Sequence, residues 1–498
     1  MNVNPITRLD YPDPDVIRVE DTYYMVSTTM HFMPGCEILQ SFDLVHWEHV
    51  TYVYETLDHT DAQQLKSGQN IYGQGMWAAS LRYHEGRFYI CFVANDTRKT
   101  YLYTSEKIDG PWKKQLIEGF YHDGSLLFDE DGRNYIVYGN DEIWITELNE
   151  DLTAPKKDGL HRLLVSDHKN PELGYEGSHI QKINGYYYIF LVHSLRDRWM
   201  RTEACFYSDS LEGEFTGGDV LCDDRGYCGQ GVAQGGIVDT PDGKWYAMLF
   251  QDSGAVGRLP ILLPVTWKDH FPVFGQNGHV PEEIEVHSTR PGYIYQPLVG
   301  SDDFCNGLLP RWQFNHDPDP RYYHLDALQG TYTITTREVC TELTQAVNTL
   351  TQRMSYPSCA AEVTVDASAL KEGDVAGLCA LQSCYAAVGI TKHHGKYEVL
   401  MLDKKEDGIL DMTEGTVVES HQMDFRLEAD FCNMKDEARC YYRVNKGDWL
   451  PIGTVHKLYF KLDHFTGCRF GLFCYAAEET GGSACFRDFK YYDVDEIS

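Results

Sequence analysis

A tyrosine that closes a turn recurs five times in the first half of this chain, and that repeat limits the available folds more than any other feature. The five segments run Asp21 to Tyr24, Glu85 to Tyr89, Asp131 to Tyr135, Asn184 to Tyr188 and Asp242 to Tyr246. Four of them place a Gly directly after the acid or amide, which supplies the positive φ of a tight hairpin. The closing tyrosines lie 65, 46, 53 and 58 residues apart, enough for one four-stranded sheet each. A second piece also recurs, at Ser41 to Trp47, Ser105 to Trp112 and Ser208 to Phe215; it reads as one outer-strand turn reused. Sheets repeated at this size close radially, which protects their edges and leaves a central channel. The repeat therefore predicts an all-β chain that begins with a five-bladed β-propeller.

The pattern changes near Pro297. Beyond it come short alternating stretches separated by Gly, Asp and Asn turns, such as Cys359 to Val365, Leu458 to Leu462 and a final strand from Phe486 to Tyr492. Roughly 200 residues of this kind suit a β-sandwich. The expected division is a catalytic propeller at 1–297 and an accessory sandwich at 298–498.

Charge and composition narrow the partners. A net charge of −32 argues against nucleic acid or an anionic membrane surface. No stretch approaches the ~20 apolar residues of a membrane helix. Residues 1–10 are polar, and the 15 cysteines form an odd set without a CxxC pair. They read as reduced thiols of a cytoplasmic protein, with no zinc site. The 34 Tyr and 9 Trp fit strands first, and sugar rings second. Homo-oligomerisation is left open.

The inner strand of each blade lines the channel, so equivalent positions converge on one axis. Counting back 11 or 12 residues from each closing tyrosine reaches Asp13, Trp77, Asp123, Glu176 and Gln234. Packing alone favours similar residues at such positions, and three carboxylic acids beside a Trp mark a site instead. Two carboxyl groups facing each other across a ligand are the equipment of glycoside hydrolysis: one protonated acid helps the leaving oxygen, one carboxylate activates water. A third acid nearby raises the pKa of the first, because like charges disfavour joint ionisation. Asp15 lies outside this register and reads as structural. His393 and His394 precede Gly395 in a surface turn, and Arg290 reads as a linker residue at the domain interface.

At these residues the chain resembles glycoside hydrolase family 43. The resemblance rests on Asn4-Pro5 leading to Tyr11 through Asp15, on Gly75 to Ala78, His122 to Phe128, Tyr175 to His179 and Gly257 to Pro260. The back half is similar to the concanavalin-like sandwich of the family's β-xylosidase group, through Asn348 to Arg353, Gly373 to Leu378 and His464 to Gly467. The resemblance implies an inverting, exo-acting enzyme that releases a terminal pentose, either β-D-xylose or α-L-arabinofuranose, from a small xylo- or arabino-oligosaccharide, its expected partner. It places the general base on Asp13, the general acid on Glu176 and the residue that tunes and orients it on Asp123. Substrate contacts are implied at Trp77, Arg258 and Gln234, at Phe465 from the sandwich, and at Met30 and Phe32 on a rim that departs from the family's usual Phe. No cofactor is implied as required. Many members hold Ca²⁺ or another ion beside a histidine in blade five, where this chain has Gln234, an amide whose oxygen suits Ca²⁺ better than a soft metal. No metal ligand is assigned. Two other readings remain open on the residues alone: a retaining fructan-type hydrolase, and a propeller that binds carbohydrate without cleaving it.

Overall fold

Each tyrosine repeat becomes a four-stranded antiparallel meander. In the computed structural model, which describes residues 3–493, blade one comprises Asp15–Val19, Thr22–Val26, Gly35–Ser41 and Glu48–Tyr54. The inner strands of blades two to five are Met76–His84, Ser125–Phe128, Glu176–Ile183 and Val232–Asp239, and each blade adds three strands outward in chain order. Neighbouring inner strands touch, and the fifth meets both the fourth and the first, so the ring is closed. Every closing tyrosine sits on a second strand, with Tyr24 opposite Ile17, Tyr89 opposite Arg82 and Tyr188 opposite Gln181. The recurring Ser-to-aromatic pieces join third to fourth strands in blades one, two and four.

Ring closure draws on the segment before blade one. In blade five, Arg258–Lys268 outruns its outer neighbour Phe271–Phe274, which pairs only with its second half. Residues 4–11 cover the first half: Ile6 N–H donates to Pro260 O at 2.9 Å and Tyr11 N–H to Arg258 O at 3.1 Å. The Asn4 amide exchanges two hydrogen bonds with the backbone of Leu262. Asp15 plugs the channel as a structural acid. It accepts from Leu81 N–H and Arg82 Nη1 and lies 3.0 Å from His179 Nδ1, so blades one, two and four share one fully buried carboxylate.

The second half is a β-sandwich. One sheet runs Tyr323–Asp326, Thr331–Thr335, Ser483–Asp493, Ser358–Asp366, Gln422–Asp430, Glu437–Val444 and Leu450–Lys457. The other includes Leu350–Arg353, Arg469–Ala476, Asp374–Leu381, Ala386–His393 and Lys396–Lys404. Their facing sides bury Val363, Leu378, Val388, Phe425 and Phe486 in one core. This second sheet extends across the domain boundary, because Phe32–Met33 of the propeller pairs with Gln313–Asn315 at its edge.

Two expectations need correction. Leu458 to Leu462 is not a strand: Leu458 ends in the sandwich core, and the following residues form a loop back to the propeller. Its apolar alternation serves that crossing, since the rings of Phe460 and Phe465 both meet the Arg258 guanidinium. Arg290 belongs to the linker but does not touch the domain interface. It pairs with Asp21 and covers the Phe42 ring of blade one.

Between the domains, His31 of the propeller packs tilted against His316 and edge-on against His464 of the sandwich, with ring centres 4.8 and 5.0 Å away, and Tyr72 packs on all three. Burial depresses all three histidines, aided by neighbouring histidines or Arg469, with His464 lowered to about 3. A histidine whose folded pKa is depressed stays neutral while its unfolded counterpart takes up a proton below about 6.5. Stability from each is thus present above that pH and is lost on acidification. For His464→Gln, the stability advantage of the parent should shrink by about 1.4 kcal/mol per pH unit between pH 6.5 and 5. Unfolding free energies of both proteins across that range check this; a pH-independent difference would contradict it.

Candidate active site

The acids found by counting gather at one end of the channel. Asp13, Asp123 and Gln234 all adopt left-handed backbone, with φ of 53°, 48° and 65°, a conformation that costs L-residues energy and clusters at functional sites. The five positions match in depth but not in pairing. Blades two, four and five carry a register shift at this end, between Met76 and Ala79, Glu176 and His179, and Ala233 and Gly236. Such bulges bend a strand and re-aim its side chains. Gly177, at φ 66°, lies within blade four's bulge; a Cβ there would meet the Gln234 side chain at 2.7 Å.

Asp13 is held from two sides. Thr28 Oγ1 donates to Asp13 Oδ2 at 2.5 Å, and Arg258 Nη1 lies 3.2 Å from Oδ1. Across the channel, Asp123 and Glu176 share a cation. His122 Nε2 lies 3.4 Å from an oxygen of each, while Gly177 N–H donates to Asp123 and Asn140 Nδ2 donates to Glu176 at 2.8 Å. Burial pushes the Asp123 carboxyl up to about 6; Glu176 and Asp13 add to this and His122 opposes it. His122 is pushed up to about 9: burial lowers it, but Asp123, Glu176 and Asp13 prevail. The site thus holds a paired carboxylate on blade one and a coupled acid pair with an imidazolium on blades three and four.

The sandwich completes the wall. Phe465 lies with its ring 5.5 Å from Trp77 and 4.3 Å from the Arg258 guanidinium, which also donates to Phe465 O. Asp10 fixes this meeting: its two oxygens accept from Arg258 N–H at 2.7 Å and Gly467 N–H at 2.8 Å. Trp77 Nε1 and Arg258 Nε are buried donors with no hydrogen-bond partner among the described residues. Met30 is buried and exchanges backbone hydrogen bonds with Met76, next to Trp77. Phe32 is not a substrate contact. It is fully buried under the Arg469 guanidinium, in a core with Leu343, Tyr385 and Phe473 of the sandwich. The extra strand at the domain seam carries it away from the channel.

Gln234 is buried at the blade-five channel position. Its backbone N–H donates to Glu203 Oε2 at 2.7 Å, and burial pushes that carboxyl well up. Among the described residues, the one His, Cys, Asp and Glu cluster that could converge on an ion is His122, Asp123 and Glu176.

Counting from the tyrosines overlooked Asp10, Thr28, His122, Asn140 and Arg201. His122 carried a signal, as a histidine directly before a channel acid. Arg201 carried none; it enters through its ion pair with Asp252 between blades four and five.

A family model described as glycosyl hydrolases family 43 matches residues 3–272. A second, described as the beta xylosidase C-terminal concanavalin A-like domain, matches 301–492. A beta-xylosidase of Formosa agariphila is 26% identical over 99% of this chain and 89% of its own length. A non-reducing end alpha-L-arabinofuranosidase of Bacteroides ovatus is 24% identical over 82% of this chain and 79% of its own. Among solved structures, a bifunctional GH43-CE protein of Bacteroides eggerthii aligns with TM-score 0.92 and 42% identity over 98% of this chain. This chain spans 63% of that protein's length. An engineered GH43 glycoside hydrolase aligns with TM-score 0.86 and 27% identity over 99% of both chains.

Asp10→Ala leaves two buried amides unpaired, at about 1–3 kcal/mol each, and frees the Phe465 loop. The melting temperature and the catalytic efficiency should fall together. Loss of stability with unchanged efficiency would show that Asp10 does not position the wall.

Proposed function

This chain belongs to glycosyl hydrolases family 43, and from that premise we propose that it releases a terminal pentose, β-D-xylose or α-L-arabinofuranose, from short oligosaccharides with inversion. The observation that carries this reading is the division of the site: an Arg-paired Asp13 on blade one faces a coupled Glu176–Asp123 pair on non-adjacent blades. Inverting chemistry needs roughly 6.5–9.5 Å between the base and acid carboxyls, to admit a water.

In this mechanism Asp13, oriented by Thr28 and Arg258, removes a proton from water as the oxygen attacks the anomeric carbon. Glu176 delivers a proton to the departing oxygen on the opposite face. Asp123 and His122 set the charge around Glu176, and Asn140 fixes the direction of its carboxyl. Trp77 and Phe465 offer apolar faces to the sugar ring. The sandwich loop walls the channel, which supports attack at chain ends rather than within a chain. The pentose is supported by the relatives, among which are proteins described as xylosidase and as arabinofuranosidase.

Asp13→Ala should lower kcat/KM by about 10²–10⁴-fold on nitrophenyl pentosides and disaccharides alike. Glu176→Ala should cost that much on disaccharides and far less on nitrophenyl substrates, whose leaving group needs little protonation. Paired assays on nitrophenyl β-xyloside and α-arabinofuranoside identify the sugar. Equal losses on both leaving groups for Glu176→Ala would refute its role as acid.

A further inference from the structure

One exposed aromatic at the channel mouth has no part in the chemistry above. Trp199 is 44% exposed, the only tryptophan among the large exposed apolar residues described. It sits in loop 195–200, between the second and third strands of blade four. That loop lies at the active-site end: Glu176 pairs with Val192, and the ladder closes two residues later with Ser194 opposite Arg201.

Beneath Trp199 lies Arg201, whose guanidinium carbon is 5.3 Å from the Trp199 ring centre and 5.2 Å from that of Phe250. Arg258 approaches the same Phe250 ring at 5.5 Å. Two guanidinium groups therefore flank one ring at the floor of the mouth. Arg258 uses its donors on Asp13 and Phe465, whereas Arg201 uses only Nε, on Asp252 at 2.8 Å. Its two terminal nitrogens make no hydrogen bond among the described residues, although the side chain is largely buried. Burial lowers the Arg201 pKa, yet Asp252, Glu176 and Asp13 raise it overall, which places the group within the field of both acids.

The groups that would surround the sugar being released, Asp13, Trp77, Arg258 and Phe465, come from blades one, two and five and the sandwich. Trp199 and Arg201 come from blade four, the blade of Glu176, the residue that meets the departing oxygen. We propose that Trp199 and Arg201 form the leaving-group subsite, which takes the neutral sugar ring on the far side of the scissile bond. The open part of the indole carries the apolar ring face, and the two free guanidinium nitrogens donate to adjacent hydroxyls. The inference rests on the hydrolase reading above, and it makes the enzyme selective for a sugar, rather than any alcohol, as leaving group.

The test compares a pentose disaccharide with the glycosyl fluoride of the same pentose, which has no ring beyond the bond that breaks. In Trp199→Ala the ratio of kcat/KM for disaccharide over fluoride should fall about tenfold, and Trp199→Phe should restore most of it. Arg201→Lys, which keeps the charge beside Asp252 but loses the planar fork, should lower the same ratio. An unchanged ratio in Trp199→Ala, with both substrates affected alike or not at all, overturns the subsite. A parent protein that cleaves neither substrate would instead refute the hydrolase reading, and the subsite with it.

Discussion

The grip of the sandwich on residues 10–13 is the constraint on which the rest of this molecule depends. Arg353 reaches from the sandwich into the propeller, donates to Asp10 O and Tyr11 Oη, lies 4.0 Å over the Tyr11 ring and pairs with Glu37 at 2.9 Å. Glu37 is held at about 2: burial raises it, and Arg353 and His49 overcome that. A buried ion pair of this kind contributes little net stability against an apolar alternative, but losing one partner costs about 3–5 kcal/mol. Its value here is positional. The same few residues clasp blade five, receive Arg353 and present Asp13 to the channel, so propeller closure, domain docking and placement of the base are one event.

The charge pattern of the site follows from that arrangement. Each acid facing the ligand has a cation beside it: Arg258 for Asp13, and one shared His122 between Asp123 and Glu176. Crowding three carboxyls in a buried site would otherwise force protons onto them without selection. The raised pKa falls on Asp123, the acid most enclosed, at about 6. The two cations come from different blades, yet Asp13 still contributes to the raised pKa of both His122 and Asp123.

Much of this was legible in the sequence because a repeat encodes geometry directly. Five turn-closing tyrosines specified five blades, and counting back from them found Asp13, Asp123 and Glu176 together at one end of the channel. The count ignored the bulges of blades two, four and five, which a residue interval cannot register. Contacts across the domain seam were the hidden part. Phe32 looked like a pocket residue until pairing with Asn315 drew it into the sandwich, and the alternation of Leu458 to Leu462 looked like a strand although it serves an interdomain loop. Arg353 stood in a family motif without a role, because its partners Tyr11 and Glu37 lie more than three hundred residues away. Local pattern reads blades well and seams poorly.

The central claim is that Asp13 and Glu176 act from opposite faces of the sugar, on water and on the leaving oxygen. The most direct measurement is the anomeric configuration of the first-formed product, followed by proton NMR before mutarotation sets in. Inversion, with α-xylose from a β-xyloside or β-arabinose from an α-arabinofuranoside, is the predicted result. Retention would require a nucleophilic carboxylate about 5–5.5 Å from the acid and would contradict the assignment of Asp13 as a base.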